Sequence, residues 1–193
     1  MGVRAMRKAR KAELGVSRSQ VKTLSDPTRL RILSLIFEQH ASISGLAKAL
    51  GLTPATVHHH IAQLRKAGLI RPIRTEMRGN LAETYYEMPA KGIDSSQVWD
   101  SLKDEEKVAY RLAVLGMLKG MINDSVKAIE KRGTVEWEVG RLLFYKLPWR
   151  ADAIQQVEEI LEDTKKRLAR LEERWARETG AGKVAVVITV LPA

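Results

Sequence analysis

The sequence predicts a mainly α protein with a small β component, in which a helical N-terminal domain closed by a β-hairpin precedes an α/β region of long helix, strand, helix and strand. Three observations carry this. Between residues 17 and 91 short apolar repeats at spacings of three and four are punctuated by Asp26-Pro27, Gly51 and Thr53-Pro54 and end in an alternating stretch around Gly79. Beyond 98 two much longer helical repeats flank a Val/Trp/Phe/Tyr-rich segment. The charge is partitioned as well: residues 1–93 hold 16 Lys/Arg against 6 Asp/Glu, a net +10, whereas residues 94–193 hold 17 of each.

In chain order, residues 1–16 form a basic arm with Arg4, Arg7, Lys8, Arg10 and Lys11 and little to bury. Ser17 to Leu24 is a first short helix. Asp26 and Pro27 start a second, whose Leu30, Leu33 and Phe37, beside Ile32 and Ile36, give a broad apolar face. Arg29 and Arg31 lie elsewhere on it, as surface arginines or phosphate contacts. Ala41, Ile43 and Leu46 lead into the short helix Ser44 to Leu50, which Gly51-Leu52 joins to a helix beginning at Thr53.

The stretch Leu52 to Ile70 organises this half. Thr53 is placed to cap with its hydroxyl, and Pro54 occupies the first helical position, where a missing N–H costs nothing. Val57, Ile61 and Leu64 form one apolar stripe, leaving Thr56, His59, Gln63 and Lys66 on other faces. Gly68 can end the helix in a left-handed conformation, and Leu69-Ile70 resume as an extended run. Two helices joined by a glycine turn have helix-turn-helix spacing. Arg71 to Met88, broken at Arg78-Gly79-Asn80, then reads as two antiparallel strands, a wing with basic residues near its turn.

Leu24-Ser25-Asp26-Pro27-Thr28-Arg29-Leu30-Arg31-Ile32-Leu33, Ile43 to Leu50, Thr56-Val57 with His60, and Ala67-Gly68-Leu69-Ile70 together resemble the ArsR-type winged helix-turn-helix repressors over residues 17–91. The resemblance implies a sequence-specific transcriptional regulator, a homodimeric repressor on a palindromic operator in double-stranded DNA. The basic half supports a polyanion partner, since it concentrates cations that release counter-ions from phosphate. Thr53, Ala55, Thr56, His58, His59 and Gln63 are then the candidates facing the major groove, with Arg65 and Lys66 near phosphate and Arg74 and Arg78 on the wing. Ala and Thr methyl groups can read thymine and Gln63 adenine. The N-terminal arm is a DNA contact or a solvated tail.

Metal-sensing relatives place cysteines on the helix before the turn, near Ile43-Ser44 here, or carboxylate and histidine ligands on a C-terminal helix, and neither set is present. With no cysteine, soft-metal sites are excluded. His58, His59 and His60 are consecutive on a helix and cannot converge on one ion. His60 matches the position of the family's packed histidine. No metal or cofactor is expected.

Residues 90–97 (AKGIDSSQ) read as a linker to a C-terminal dimerisation region, residues 98–193, which would also house any small-molecule effector. From Glu105 to Lys131, Val108, Leu112, Leu115, Ile122, Val126 and Ile129 follow helical spacing interrupted by Lys119. Ala109, Ala113, Gly116 and Gly120 form a ridge of small residues. With Leu112 they are the candidate dimer contact, the alternative being ordinary packing within the chain. Thr134 to Leu147 is expected as a strand. Ile154, Val157, Leu161, Thr164, Leu168, Leu171 and Trp175 make a coiled-coil-like seam or a helix laid on a sheet. Val184 to Leu191 is expected as a buried strand. Trp99, Trp137, Trp149 and Trp175 with Met117 and Met121 either line an effector pocket or are core.

Two other classes fit the sequence less well. An enzyme with a winged-helix appendage needs a nucleophile set, a phosphate loop or paired carboxylates in residues 94–193, and none stands out. A winged helix used only for protein contacts would suit a neutral surface better than +10. Zero cysteine and a longest apolar run far too short for a bilayer give a cytoplasmic expectation, with no membrane partner.

Overall fold

Helices in the N-terminal half begin and end where the sequence supplies caps. A computed structural model of the chain describes residues 13–38, 41–90, 92–132 and 150–175. Ser17 opens α1 (Arg18–Leu24) through a reciprocal capping box: the Gln20 amide donates to Ser17 Oγ at 3.3 Å, and the Ser17 amide donates to Gln20 Oε1 at 2.8 Å. Asp26 accepts from the Arg29 amide at 2.9 Å, and Pro27 is the first residue of α2 (Pro27–Glu38). Ser42 caps α3 (Ile43–Leu50), and Gly51, at φ +65°, ends it.

Thr53 Oγ1 accepts from the Thr56 amide at 3.1 Å to start α4 (Pro54–Lys66). At the other end Gly68 (φ +70°) donates to Arg65 O and Leu69 to Leu64 O, both at 2.9 Å. This is a Schellman closure, with Leu64 and Leu69 both buried. Two residues later β3 (Arg71–Arg78) begins and pairs antiparallel with β4 (Leu81–Glu87) across a turn at Gly79, φ +60°. Pro72, which has no N–H, is tolerated because β3 is an edge strand, and the register slips between Pro72 and Arg74.

The hairpin gains a third strand, β2 (Ala41–Ser42), on the other edge of β4. A second, parallel pair joins β1 (Leu14–Gly15) to β5 (Ile93–Asp94). The stretch expected as a linker is therefore folded: Ala90 is buried, β5 pairs with β1, and α5 (Ser96–Trp99) follows. Two-residue strands carry too short a pattern to show in the sequence.

The core collects Val21 and Leu24 of α1, Ile32, Leu33 and Ile36 of α2, Leu46 of α3, Val57, Ile61 and Leu64 of α4, then Leu69 and Ile70. The long helix α6 (Asp104–Arg132) packs on α1 and α2 and adds Ala113 to this core. Arg18 and Lys22 of α1 both pair with Glu106, the nearer contact 2.7 Å. Those contacts hold the Glu106 carboxyl down at about 2, the Arg18 hydrogen bond foremost.

The small-residue ridge faces α2. A Cβ built on Gly116 would lie 2.8 Å from Pro27 Cβ, and one on Gly120 3.4 Å from the Arg31 side chain. The close approach these glycines permit is thus made within the chain, to Pro27 and Arg31 of α2, which is the packing alternative the small-residue spacing left open. Leu112, in contrast, is exposed. Arg29 and Arg31 are likewise structural: Arg29 pairs with Asp26, and Arg31, largely buried, pairs with Asp124 of α6.

The chain divides into two compact units, Met1–Glu136 and Trp137–Ala193. The second is described through α7 (Ala151–Trp175), where Val157, Leu161, Thr164 and Leu168 are half-buried at spacings of four, three and four, as the seam predicts. The strands expected at 134–147 and 184–191, and the arm at 1–12, lie outside the described residues. Of the aromatic set, Trp99 stacks edgewise on Tyr110 at 6.3 Å, and Met117 packs on the core. Among the described residues no helix is long and apolar enough to cross a membrane.

Candidate nucleic-acid interface

α4 has one buried face and one open one. At about 100° per residue, Ala55, His59, Ala62 and Lys66 stand opposite buried Val57, Ile61 and Leu64. Thr56 and Gln63 fall on one flank of that open face and His58 and Arg65 on the other. All eight are exposed. Every recognition-helix residue singled out in the sequence is therefore accessible, but the two flanks point apart, so His58 and Gln63 cannot reach the same base step. Ala62 was missed. It lies at the centre of the open face, where a methyl side chain permits close approach, and its i+3 and i+7 relation to His59 and Ala55 was the available signal.

Thr53 has a divided role. Its Oγ1 is committed to the Thr56 amide and lies 2.8 Å from Thr56 Oγ1, so the two hydroxyls form one local unit at the helix start. The histidine triplet diverges as expected. His58 and His59 are exposed, whereas His60 is half-buried, with burial the main cause of a pKa below the usual imidazole value. Among the described residues no group of three His, Cys, Asp or Glu is placed to hold a metal ion.

The hairpin that follows α4 in the chain carries further cations. Arg74 lies 4.3 Å above the Tyr85 ring and pairs with Glu76 at 2.6 Å. Arg78, next to the Gly79 turn, is 76% exposed and only 3.9 Å from Glu83, which in turn accepts a hydrogen bond from Ser44 of α3. Arg78 is therefore the wing cation most available to a phosphate. Arg71, nearer the core, is held by Glu87 at 2.6 Å.

Residues 26–71 match the family model described as bacterial regulatory protein, arsR family. The chain carries an ArsR-family helix-turn-helix. That ArsR-type segment runs from the cap of α2 to the first residue of β3, so α3 and α4 are the two helices of its helix-turn-helix, and the β3–β4 hairpin follows it. Among solved structures, Rv0081 of M. tuberculosis is 28% identical over 49% of this chain and 87% of its own, with a TM-score of 0.32. HlyU of Vibrio cholerae is 23% identical over 49% and 87%, TM-score 0.30. A homodimeric winged helix-turn-helix DNA-binding domain of Mb0332 from Mycobacterium bovis, a possible ArsR-family regulator, is 19% identical over 62% and 86%, TM-score 0.32. No curated protein matches the chain. The ArsR-type segment is a helix-turn-helix of the kind that DNA-binding transcriptional regulators carry.

Proposed function

We propose that the protein is a homodimeric repressor that reads a palindromic operator. The observation that carries the reading is the open face of α4, exposed along eight residues of which six are polar, fixed at both ends by caps and followed in the chain by a hairpin that carries Arg71, Arg74 and Arg78. Ala55, Thr56, His59 and Gln63 contact base edges, with Thr53 and His58 at the margins. Arg65, Lys66, Arg74 and Arg78 meet phosphate, which displaces Glu76 and Glu83 from the wing arginines. Repression itself is carried over from the family resemblance.

Dimerisation is assigned to the outward face of α6. Val108, Leu112, Leu115, Ile122, Val126 and Ile129 are all exposed, at 39–63%. Their spacings, with Lys119 filling the gap, alternate four and three in the manner of a coiled-coil seam. Six large apolar side chains in one stripe mark a partner surface. A second copy is the occupant, because a helix-turn-helix reads two half-sites about 34–36 Å apart only when a two-fold interface sets that spacing. Of the residues first singled out, Leu112 remains in this assignment, whereas Ala109, though exposed, lies on the side of the small-residue ridge one turn before Ala113.

The test is selection from a random duplex library followed by titration of the winning sequence against salt. A palindromic consensus and a log–log slope of several phosphates are expected. A shallow slope with no consensus would reject the proposal in favour of a winged helix used for protein contacts.

A further inference from the structure

We propose that the cleft between the helix-turn-helix turn and α6 binds a small anionic effector through a phosphate or carboxylate group. The cleft lies between the C-terminal end of α3 and the second half of α6, against Arg31 of α2, and has a volume of about 470 Å³. Small-molecule sites span roughly 300–1,000 Å³. Three cationic side chains line it, Arg31, Lys48 and Lys127, against the single carboxylate of Asp124, a local balance of +2.

The cations are not equivalent. Arg31 is spent on the fold, donating to Ser34 Oγ at 2.8 Å and pairing with Asp124. Lys48 and Lys127 are exposed and, like the Asn123 side chain, make no hydrogen bond or ion pair with a described residue. Two ammonium groups and an amide on opposite walls thus have donors to offer, and an oxyanion that bridges them satisfies both walls at once. The C-terminal end of α3 opposes an anion through its carbonyl dipoles. That opposition is blunted because the Gly51 and Leu52 amides both turn back onto Ala47 O.

Position gives the site its consequence. α3 leads through Gly51 directly into α4, and α6 carries the exposed apolar stripe, so a ligand spanning the cleft ties the reading helix to the proposed dimer helix. Coupling between two sites commonly changes affinity by about 5–150-fold. This regulatory step rests on the DNA-binding reading, whereas binding of the anion does not.

Titrating the full-length protein with inorganic phosphate and, separately, with citrate, at ionic strength held constant with chloride, tests the site without DNA. Calorimetry should show saturable binding, about tenfold weaker in Lys48→Met/Lys127→Met and unchanged in Lys103→Met outside the cleft. Asp124→Asn should bind more tightly, since it removes the competing carboxylate and releases Arg31; Asp124 is half exposed, so the fold survives its loss. The stronger of the two anions identifies the head group. Saturating anion should then shift affinity for the selected operator by the factor above. Binding that is absent, or equal in all four proteins, overturns the site. Loss of DNA affinity in the double lysine variant without anion binding overturns it too, assigning the lysines to DNA phosphate. Anion binding that leaves operator affinity unchanged overturns the effector role while leaving the DNA-binding reading intact.

Discussion

α4 and α6 each pack one face into the same core, and they differ in what they turn outward. α4 shows water a threonine, two histidines, a glutamine, an arginine and a lysine, whereas α6 shows it six large aliphatic side chains. An open polar face with basic flanks is at ease in water and is a ready surface for a polyanion. An open aliphatic stripe is not at ease, because each such side chain forgoes part of the roughly 1.5–3 kcal/mol that full burial would give. The difference teaches that surface chemistry separates the face proposed for a nucleic acid from the face proposed for another protein, even when both belong to helices built on one core.

The largest effect should come from making the outer face of α6 resemble that of α4. Leu112→Glu with Ile122→Glu is expected to leave the fold intact, abolish the dimer in sedimentation, and weaken operator binding by about 10²–10⁴-fold as the second half-site ceases to be intramolecular. An unchanged dimer with unchanged affinity would move the interface to the Val157 to Leu168 seam of α7. The inner face of α6 should respond differently. Gly116→Leu drives a side chain into Pro27 and should cost about 1–3 kcal/mol of stability in chemical denaturation. Full stability would mean that α6 does not approach α2 as closely as its glycines allow.

On α4, His59→Ala or Gln63→Ala should leave stability within about 0.5 kcal/mol, as befits exposed positions. Each should reduce discrimination at one operator position by about 1–3 kcal/mol in competition binding. Unfolding of either variant would reverse the assignment of faces. Arg78→Ala should act more weakly still, lowering affinity uniformly across sequences and reducing the salt slope by about one.

The smallest effect concerns the tie between α1 and α6. Since Glu106 titrates at about 2 in the fold against an ordinary value near 4.5, its contribution is fully present above that value. It is lost as pH falls from there toward 2. Wild type should therefore lose more thermal stability across this window than Glu106→Gln does, and equal losses would show the pair to be idle.

How much of this was legible in the sequence depended on whether a feature is local. Thr53-Pro54, Gly51 and Gly68 announced α4 because caps act within a few residues of themselves. Val57, Ile61 and Leu64 announced its buried face because the helical period is fixed. The destination of the Gly116–Gly120 ridge was not legible: a run of small residues states that something comes close, and Pro27 and Arg31 are about ninety positions away. The bridges of β1 to β5 and β2 to β4 were invisible for the same reason, since two residues hold no periodicity and their partners are distant. Arg29 and Arg31 looked like surface cations until Asp26 and Asp124 were seen beside them.

Gln20 shows what such long-range placement demands of a single side chain. Its Oε1 takes the Ser17 amide at the start of α1, while its Nε2 donates to Ala67 O, at 2.8 Å, where α4 ends. The two jobs need an acceptor and a donor on one planar group at one reach, and the carboxamide of glutamine provides both. Glutamate in its place keeps the first bond and sets a second lone-pair oxygen against a carbonyl, whereas lysine or arginine keeps a donor and abandons the cap. The end of the reading helix is thus fastened to α1 by a bond that tolerates almost no chemical synonym.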